Sequence, residues 1–430
     1  MRIALVAQDG SPLTPKMRDP YGAARTTAVT SLAHALAKAG HRVTIYARTD
    51  SRDLPGSVIL AKGVTVEHLT AGPATSLNAA ELTGHVKGFA EKLAKRWQRS
   101  RPDIAHACSW TSGLAALAAA RDLDIPVVQS FGSLALTERR HGLPATGPDN
   151  RVQLETCVAR HADAVLAATA ADAAELMKMG VPRTSIKIVP GGVDTDRFCA
   201  EGPIVERSER PRLLAVATLN TSEHLDALVR MLPAIPEAEL VIVGGPPRSQ
   251  LRKDAVYREL MQLARNLRVQ RRLMFTGQVS DDELPALLRS ADLLVSAAPY
   301  DPDSRITIAA MACGTPVAVS ATGANRDAVV DETTGLLVAP GRPDLLARRV
   351  RRLLATPMRL EAFGIAAADR ASARYSWDRI AAETLHNYAR CLPAAIEEPA
   401  APAADLSDEA IAAIADLPRQ RAAEPAAALA

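Results

Sequence analysis

The sequence predicts an α/β protein built from two Rossmann-like, doubly wound domains, and three observations carry that prediction. Short apolar runs alternate with amphipathic segments along the chain, the pattern of parallel strands joined by helical crossovers. The series pauses at the polar stretch Glu201 to Pro211, which carries two prolines, and then restarts. A length of 430 residues is long for one core and suits two domains of ordinary size. The expected domains are 1–198 and 212–375.

In the first half, Arg2 to Ala7 is short, apolar and followed by a polar loop, as a buried strand should be. That loop is expected to run from Gln8 to Arg25, with Gly10, Gly22 and several prolines. Val29, Leu32, Ala33 and Leu36 then repeat at helical spacing up to Gly40, and Val43 to Ala47 is the next strand. Val86, Phe89, Leu93 and Trp97 form one apolar stripe, with Lys92, Lys95, Arg96 and Arg99 elsewhere on the same helix. The favoured reading is a core-packed helix with a solvated basic face; the alternative is a helix lying on an anionic membrane. Further strands are expected at Pro102 to Ala107, Ile125 to Gln129, Ala164 to Ala168 and Ile186 to Val189. Helices are expected at Gly113 to Ala120, Arg151 to His161 and Ala173 to Met179.

The second half repeats the plan. The strand Arg212 to Ala217 precedes a helix carrying Leu225, Leu228, Val229 and Leu232. Strands follow at Leu240 to Val243 and Leu273 to Thr276, and Ser280 to Glu283 is a capping box for a helix reaching Ser290. Asp292 to Val330 then holds strand, polar loop, helix and strand within ~30 residues, the size of a parallel βαβ unit. Its helix runs from Ile306 to Cys313 and ends at Gly314. After the strand Thr334 to Val338 come helices at Asp344 to Leu354, Met358 to Arg374 and Tyr375 to Cys391. From Pro393 onward alanine, proline and glutamate dominate, so 393–430 reads as a disordered tail with one short helix from Asp408 to Ile414.

Composition narrows the function. A net charge of +3 and 3% aromatics argue against nucleic acid as partner. Five scattered cysteines without a C-x-x-C pattern point to a reduced, cytoplasmic setting and no disulfide framework. No apolar run reaches ~18 residues, so no transmembrane segment is expected. The site is expected in the Asp292 to Val330 unit, because the carboxyl end of a strand and the amino end of the next helix flank the ligand crevice of such sheets. A phosphate or ribose there meets free N–H groups and the positive end of the helix dipole.

The run Met311 to Val317, Met-Ala-Cys-Gly-Thr-Pro-Val, resembles the donor-binding segment of the family-four retaining glycosyltransferases, which have the GT-B fold. Pro190 to Phe198 is similar to that family's signature at the domain junction, and His106, Ser112 and Gly113 match a further motif. The resemblance spans about Met1 to Leu392. It implies an acceptor-side first domain, a donor-nucleotide second domain, and a helix at 376–392 crossing back onto the first. The implied reaction moves a sugar from a nucleotide-sugar to a small-molecule or glycan acceptor with retained stereochemistry, without metal or cofactor. Carried over residue by residue, the donor side comprises Thr218, Glu223, Asp301, Ser304, Arg305, Thr307, Ala309 and Gly323. The acceptor side comprises Arg25, Trp110 and Gly132, and the catalytic candidates are Asp301 and His106.

The chain also departs from the family's pattern. Asp301 shortens the first of two glutamates and Ala309 replaces the second. Ala23 and Ala24 replace a glycine pair, Cys108 and Gly132 replace histidines, and Thr218 and Glu223 replace the arginine and lysine that grip the donor diphosphate. Two readings follow. One is an active transferase with rewired donor contacts, Arg305 or Arg326 supplying positive charge. The other is a catalytically silent relative that acts as a binding or regulatory partner, for instance of an active homologue. A sugar-nucleotide epimerase of the same fold fits the motif spacing less well.

Overall fold

The computed structural model describes residues 1–14, 20–143, 146–220 and 223–392, and the side chains of 20–26 fall outside that description. The expected tail and its short helix therefore lie outside the described residues. The first half folds as β1 (Arg2–Ala7), α1 (Pro20–Lys38), β2 (Arg42–Arg48), β3 (Ser57–Ala61), β4 (Val64–Leu69), α2 (Ala79–Thr83), α3 (Val86–Arg99), β5 (Ile104–Ala107), α4 (Trp110–Ala120), β6 (Val127–Ser130), α5 (Ala135–Arg140), α6 (Arg151–His161), β7 (Ala164–Ala167), α7 (Ala170–Lys178) and β8 (Ile186–Ile188). The second half supplies β9 (Arg212–Val216), α8 (Leu225–Met231), β10 (Glu239–Val243), α9 (Ala255–Asn266), β11 (Leu273–Gly277), α10 (Leu284–Arg289), β12 (Leu293–Ser296), α11 (Arg305–Ala312), β13 (Val317–Ser320), α12 (Asn325–Ala328), β14 (Gly335–Val338), α13 (Pro343–Leu354), α14 (Pro357–Tyr375) and α15 (Trp377–Cys391).

Two separate sheets result, ordered β3-β4-β2-β1-β5-β6-β7-β8 and β11-β10-β9-β12-β13-β14. All pairings are parallel except the β3–β4 hairpin. Each sheet buries both faces, which is why its strands read as continuous apolar runs rather than as alternation. In the first sheet, α3 and α4 cover one face, while α1 and α15 cover the other. In the second, α8, α9 and α13 lie on one side, and α10, α11 and α14 on the other. This is the doubly wound architecture, twice over.

The stripe on α3 settles the question its sequence raised. Phe89, Leu93 and Trp97 are wholly buried in the first core, so no apolar face remains for a membrane. No helix among the described residues is long and apolar enough to cross one. Several features differ from the sequence reading. Helix α1 begins at Pro20, inside the expected loop, where proline at the first helical position costs nothing. The β3–β4 hairpin and α9 were not anticipated. For α9 a signal existed: Asp254 caps it by accepting from Tyr257 N–H at 2.9 Å, ahead of buried Leu260 and Ala264.

Helix α15 ties the halves together. Its Ile380, Ala381 and Tyr388 are buried in the core under α1 and β1, and Lys38 pairs with Asp378 at 2.7 Å. At the junction, Val193 N–H donates to the Tyr375 carbonyl at 2.7 Å. Gly192 is required there, since a Cβ on it would sit 2.6 Å from the Trp377 indole. The crossing helix is thus seated on the junction signature itself.

Candidate functional site

Strand order places the crevices. In the second sheet the winding reverses between β9 and β12, and in the first between β1 and β5. Adjacent loops at such a switch point diverge and leave a ligand crevice beyond the strands' carboxyl ends. The loop after β9 carries Thr218 and Glu223; the loop after β12 carries Tyr300 to Ser304. Contacts between the halves show that the two crevices share one cleft. His141 stacks on Tyr300 with ring centroids 4.6 Å apart, and Ala170 N–H donates to Asp327 Oδ2 at 2.8 Å.

Asp301 organises the loop before α11. Its Oδ1 accepts from the N–H groups of Ser304 at 2.8 Å and Asp303 at 3.3 Å, and its carbonyl accepts from Ala324 N–H at 2.8 Å. Gly323 packs so closely on that carbonyl that a Cβ would lie 1.9 Å from the oxygen; with φ +51 the position admits only glycine. Desolvation, followed by the neighbouring Asp303 carboxylate, pushes the Asp301 carboxyl up to about 7, against two backbone hydrogen bonds that lower it. Glu223 adds to the rise, which places it within electrostatic reach of Asp301. The Glu223 carboxyl is itself raised, chiefly by burial.

Of the two cations expected here, one is spent. Arg305 binds Asp303 through Nε at 3.0 Å, so its charge is neutralised within the loop. Arg326 is exposed on α12. Thr218, exposed, donates to Glu223 Oε1 at 3.3 Å and accepts from Asn220 Nδ2 at 2.6 Å. Ser304 and Thr307 are buried, and both hydroxyls donate to Asn325 Oδ1 at 2.8 Å. Ala309 is buried in the apolar core of the second domain. Sequence reasoning missed Asp303, although an aspartate two residues before an arginine at a helix start is a legible pair.

On the first domain's side, His106 is buried with both ring nitrogens engaged: Nδ1 with Tyr388 Oη and Nε2 with Ser130 Oγ, each at 2.7 Å. That arrangement leaves neither nitrogen for a substrate. Burial holds its pKa down to about 4. The folded protein therefore refuses a proton that the unfolded chain takes up near 6.5, so His106 lends stability above pH 6.5 that is lost as pH falls toward 4. The full span corresponds to about 3 kcal/mol. Between pH 7.5 and 5 the unmodified protein should lose more melting temperature than His106→Gln, and equal losses would contradict this account. Trp110, expected on the acceptor side, is instead buried in the first core at the start of α4. Gly132 is exposed just past β6, and Arg25 lies in α1 with its side chain outside the described residues. Among the described residues no cluster of three His, Cys, Asp or Glu is placed to hold a metal ion.

Two facing doubly wound domains, a cleft at their switch points and a helix returning across the junction define the GT-B fold. The sequence matches the profile described as Glycosyltransferase Family 4 over residues 26–197 and that described as Glycosyl transferases group 1 over 201–370. It is 32% identical over 409 residues to the D-inositol 3-phosphate glycosyltransferase of Xylanimonas cellulosilytica, covering 90% of this chain and 96% of that one. The chain belongs to the family-four glycosyltransferases. In fold it is similar to sucrose-phosphate synthase from Thermosynechococcus elongatus, with TM-score 0.78, 24% identity, and coverage of 90% and 98%. It is also similar to Anabaena HepE solved in complex with UDP, with TM-score 0.68, 17% identity, and coverage of 91% and 100%.

Proposed function

We propose that this glycosyltransferase takes its sugar from a nucleotide-sugar donor seated in the second domain's crevice and transfers it, with retention, to an acceptor on the first domain's side. The observation that carries the reading is the amino end of α11. Among the described residues the N–H groups of Ile306 and Thr307 have no backbone or side-chain partner. They lie at a helix amino end beside the switch point, where a diphosphate finds hydrogen bonds and a favourable dipole without any cationic side chain. The turn at Gly323 brings backbone to the same crevice. Relatives named for D-inositol 3-phosphate make that compound the first acceptor to test. His106, fully engaged inside the fold, is read as a structural residue, with substrate orientation left to the cleft.

The raised carboxyl of Asp301 gives this reading a pH signature. An anionic donor binds best when Asp301 carries its proton, so binding couples to proton uptake and strengthens as pH falls through 7. UDP-glucose, whose diphosphate diester does not titrate in this range, should bind several-fold more tightly at pH 6.5 than at pH 8, and Asp301→Asn should flatten the dependence. Flat or opposite behaviour in the unmodified protein would remove Asp301 from the donor site. The second reading, a silent relative that binds a partner, is favoured by one observation: Asp301, Asp303 and Glu223 gather where diphosphate charge would sit. Turnover of any nucleotide-sugar excludes it.

A further inference from the structure

We infer that Asn325 is a positioning residue for the donor: its side-chain carbonyl oxygen fixes the backbone that opens α11. The inference rests on the reading of this crevice as the donor site. Ser304, the residue just before α11, is wholly buried and left-handed, with φ 50. An L side chain holds that conformation only where its surroundings impose it. Here the Ser304 hydroxyl donates to Asn325 Oδ1 and its N–H donates to Asp301 Oδ1, each at 2.8 Å. Thr307, one turn into the helix, donates to the same Asn325 oxygen at 2.8 Å. One buried carbonyl oxygen therefore gathers hydroxyls from both sides of the helix start.

The amide is kept at a cost. Asn325 is 1% exposed, and its Nδ2 has no partner, which leaves an orphaned donor inside the protein. An apolar residue of similar size avoids that penalty, so what the asparagine contributes is the pair of hydroxyl bonds. Asn325 also follows the Gly323–Ala324 turn, and Ala324 N–H binds the Asp301 carbonyl. The turn and the loop are thereby laced into one body, and the unspent amides of Ile306 and Thr307 inherit its rigidity.

The test combines two readouts on the full chain. Hydrogen exchange of the segment 301–310 reports loop order without any ligand, and UDP-glucose titration reports the donor site. Asn325→Leu should speed exchange in that segment and weaken UDP-glucose about tenfold. Asn325→Asp keeps both hydroxyl bonds and should keep the protection. Ser304→Gly, added to Asn325→Leu, makes the left-handed turn readily accessible and should recover most of the lost affinity. Unchanged exchange in Asn325→Leu, or no recovery in the double variant despite a native melting temperature, would overturn the inference. If the unmodified protein binds no UDP-glucose, the donor reading fails by itself, and the exchange comparison still decides the role of Asn325.

Discussion

Thr218→Arg combined with Glu223→Lys tightens nucleoside diphosphate binding by at least ~10-fold. A diphosphate needs charge-assisted hydrogen bonds. Each charge-assisted hydrogen bond is worth ~1.5–3 kcal/mol, so two missing ones forfeit roughly 3–6 kcal/mol, or about two to four decades of affinity. Arg305 is no free substitute, since it is bound to Asp303 at 3.0 Å. Thr218 is exposed, so an arginine fits there without displacing core. Calorimetry with UDP on both proteins checks the result. Tight binding by the unmodified protein with no gain in the variant would mean that the crevice holds phosphate by other means.

Removing α15 has the largest expected effect on stability. Ending the chain after Tyr375 strips Ile380, Ala381 and Tyr388 from the core beneath α1 and β1. At ~1.5–3 kcal/mol for each large apolar side chain, the loss is on the order of 5 kcal/mol. It also leaves His106 Nδ1 without Tyr388, an orphaned polar atom that costs a further ~1–3 kcal/mol. Tyr388→Phe isolates that second effect. Ending the chain after Leu392, by contrast, should leave the melting temperature unchanged within error, because the composition of 393–430 cannot offset its own chain entropy. Denaturation curves of the truncated proteins and the point variant decide among these. A large loss from the longer chain, or none from the shorter, would contradict the assignment.

The fold was legible because buried parallel strands leave short apolar runs and their helices leave periodic stripes. Arg2–Ala7, Arg151–His161 and Leu293–Ser296 could be placed to within a residue or two. The hairpin Ser57–Ala61 with Val64–Leu69 was not, since an edge hairpin with one half-exposed strand lacks the continuous apolar run. Sequence expected Asp301, Arg305 and Gly323 in one crevice, and the fold brings the two loops together, Ala324 N–H donating to the Asp301 carbonyl. It did not show that Arg305 is consumed by Asp303, that Trp110 and Ala309 face cores, or that His106 is closed off by Tyr388, 282 residues away. Those facts depend on side-chain partners that no local pattern encodes.

The central claim is that the crevice between β9 and β12 remains a nucleotide-sugar site although Thr218 and Glu223 stand where the family has its cations. Titration calorimetry of the unmodified protein, at pH 6.5, against a panel of nucleoside diphosphates and their sugars tests it most directly. The account predicts saturable binding that tracks one nucleotide and is lost when Gly323→Ala forces the turn off the Asp301 carbonyl. Silence across the panel at millimolar ligand, or binding indifferent to Gly323→Ala, would contradict it.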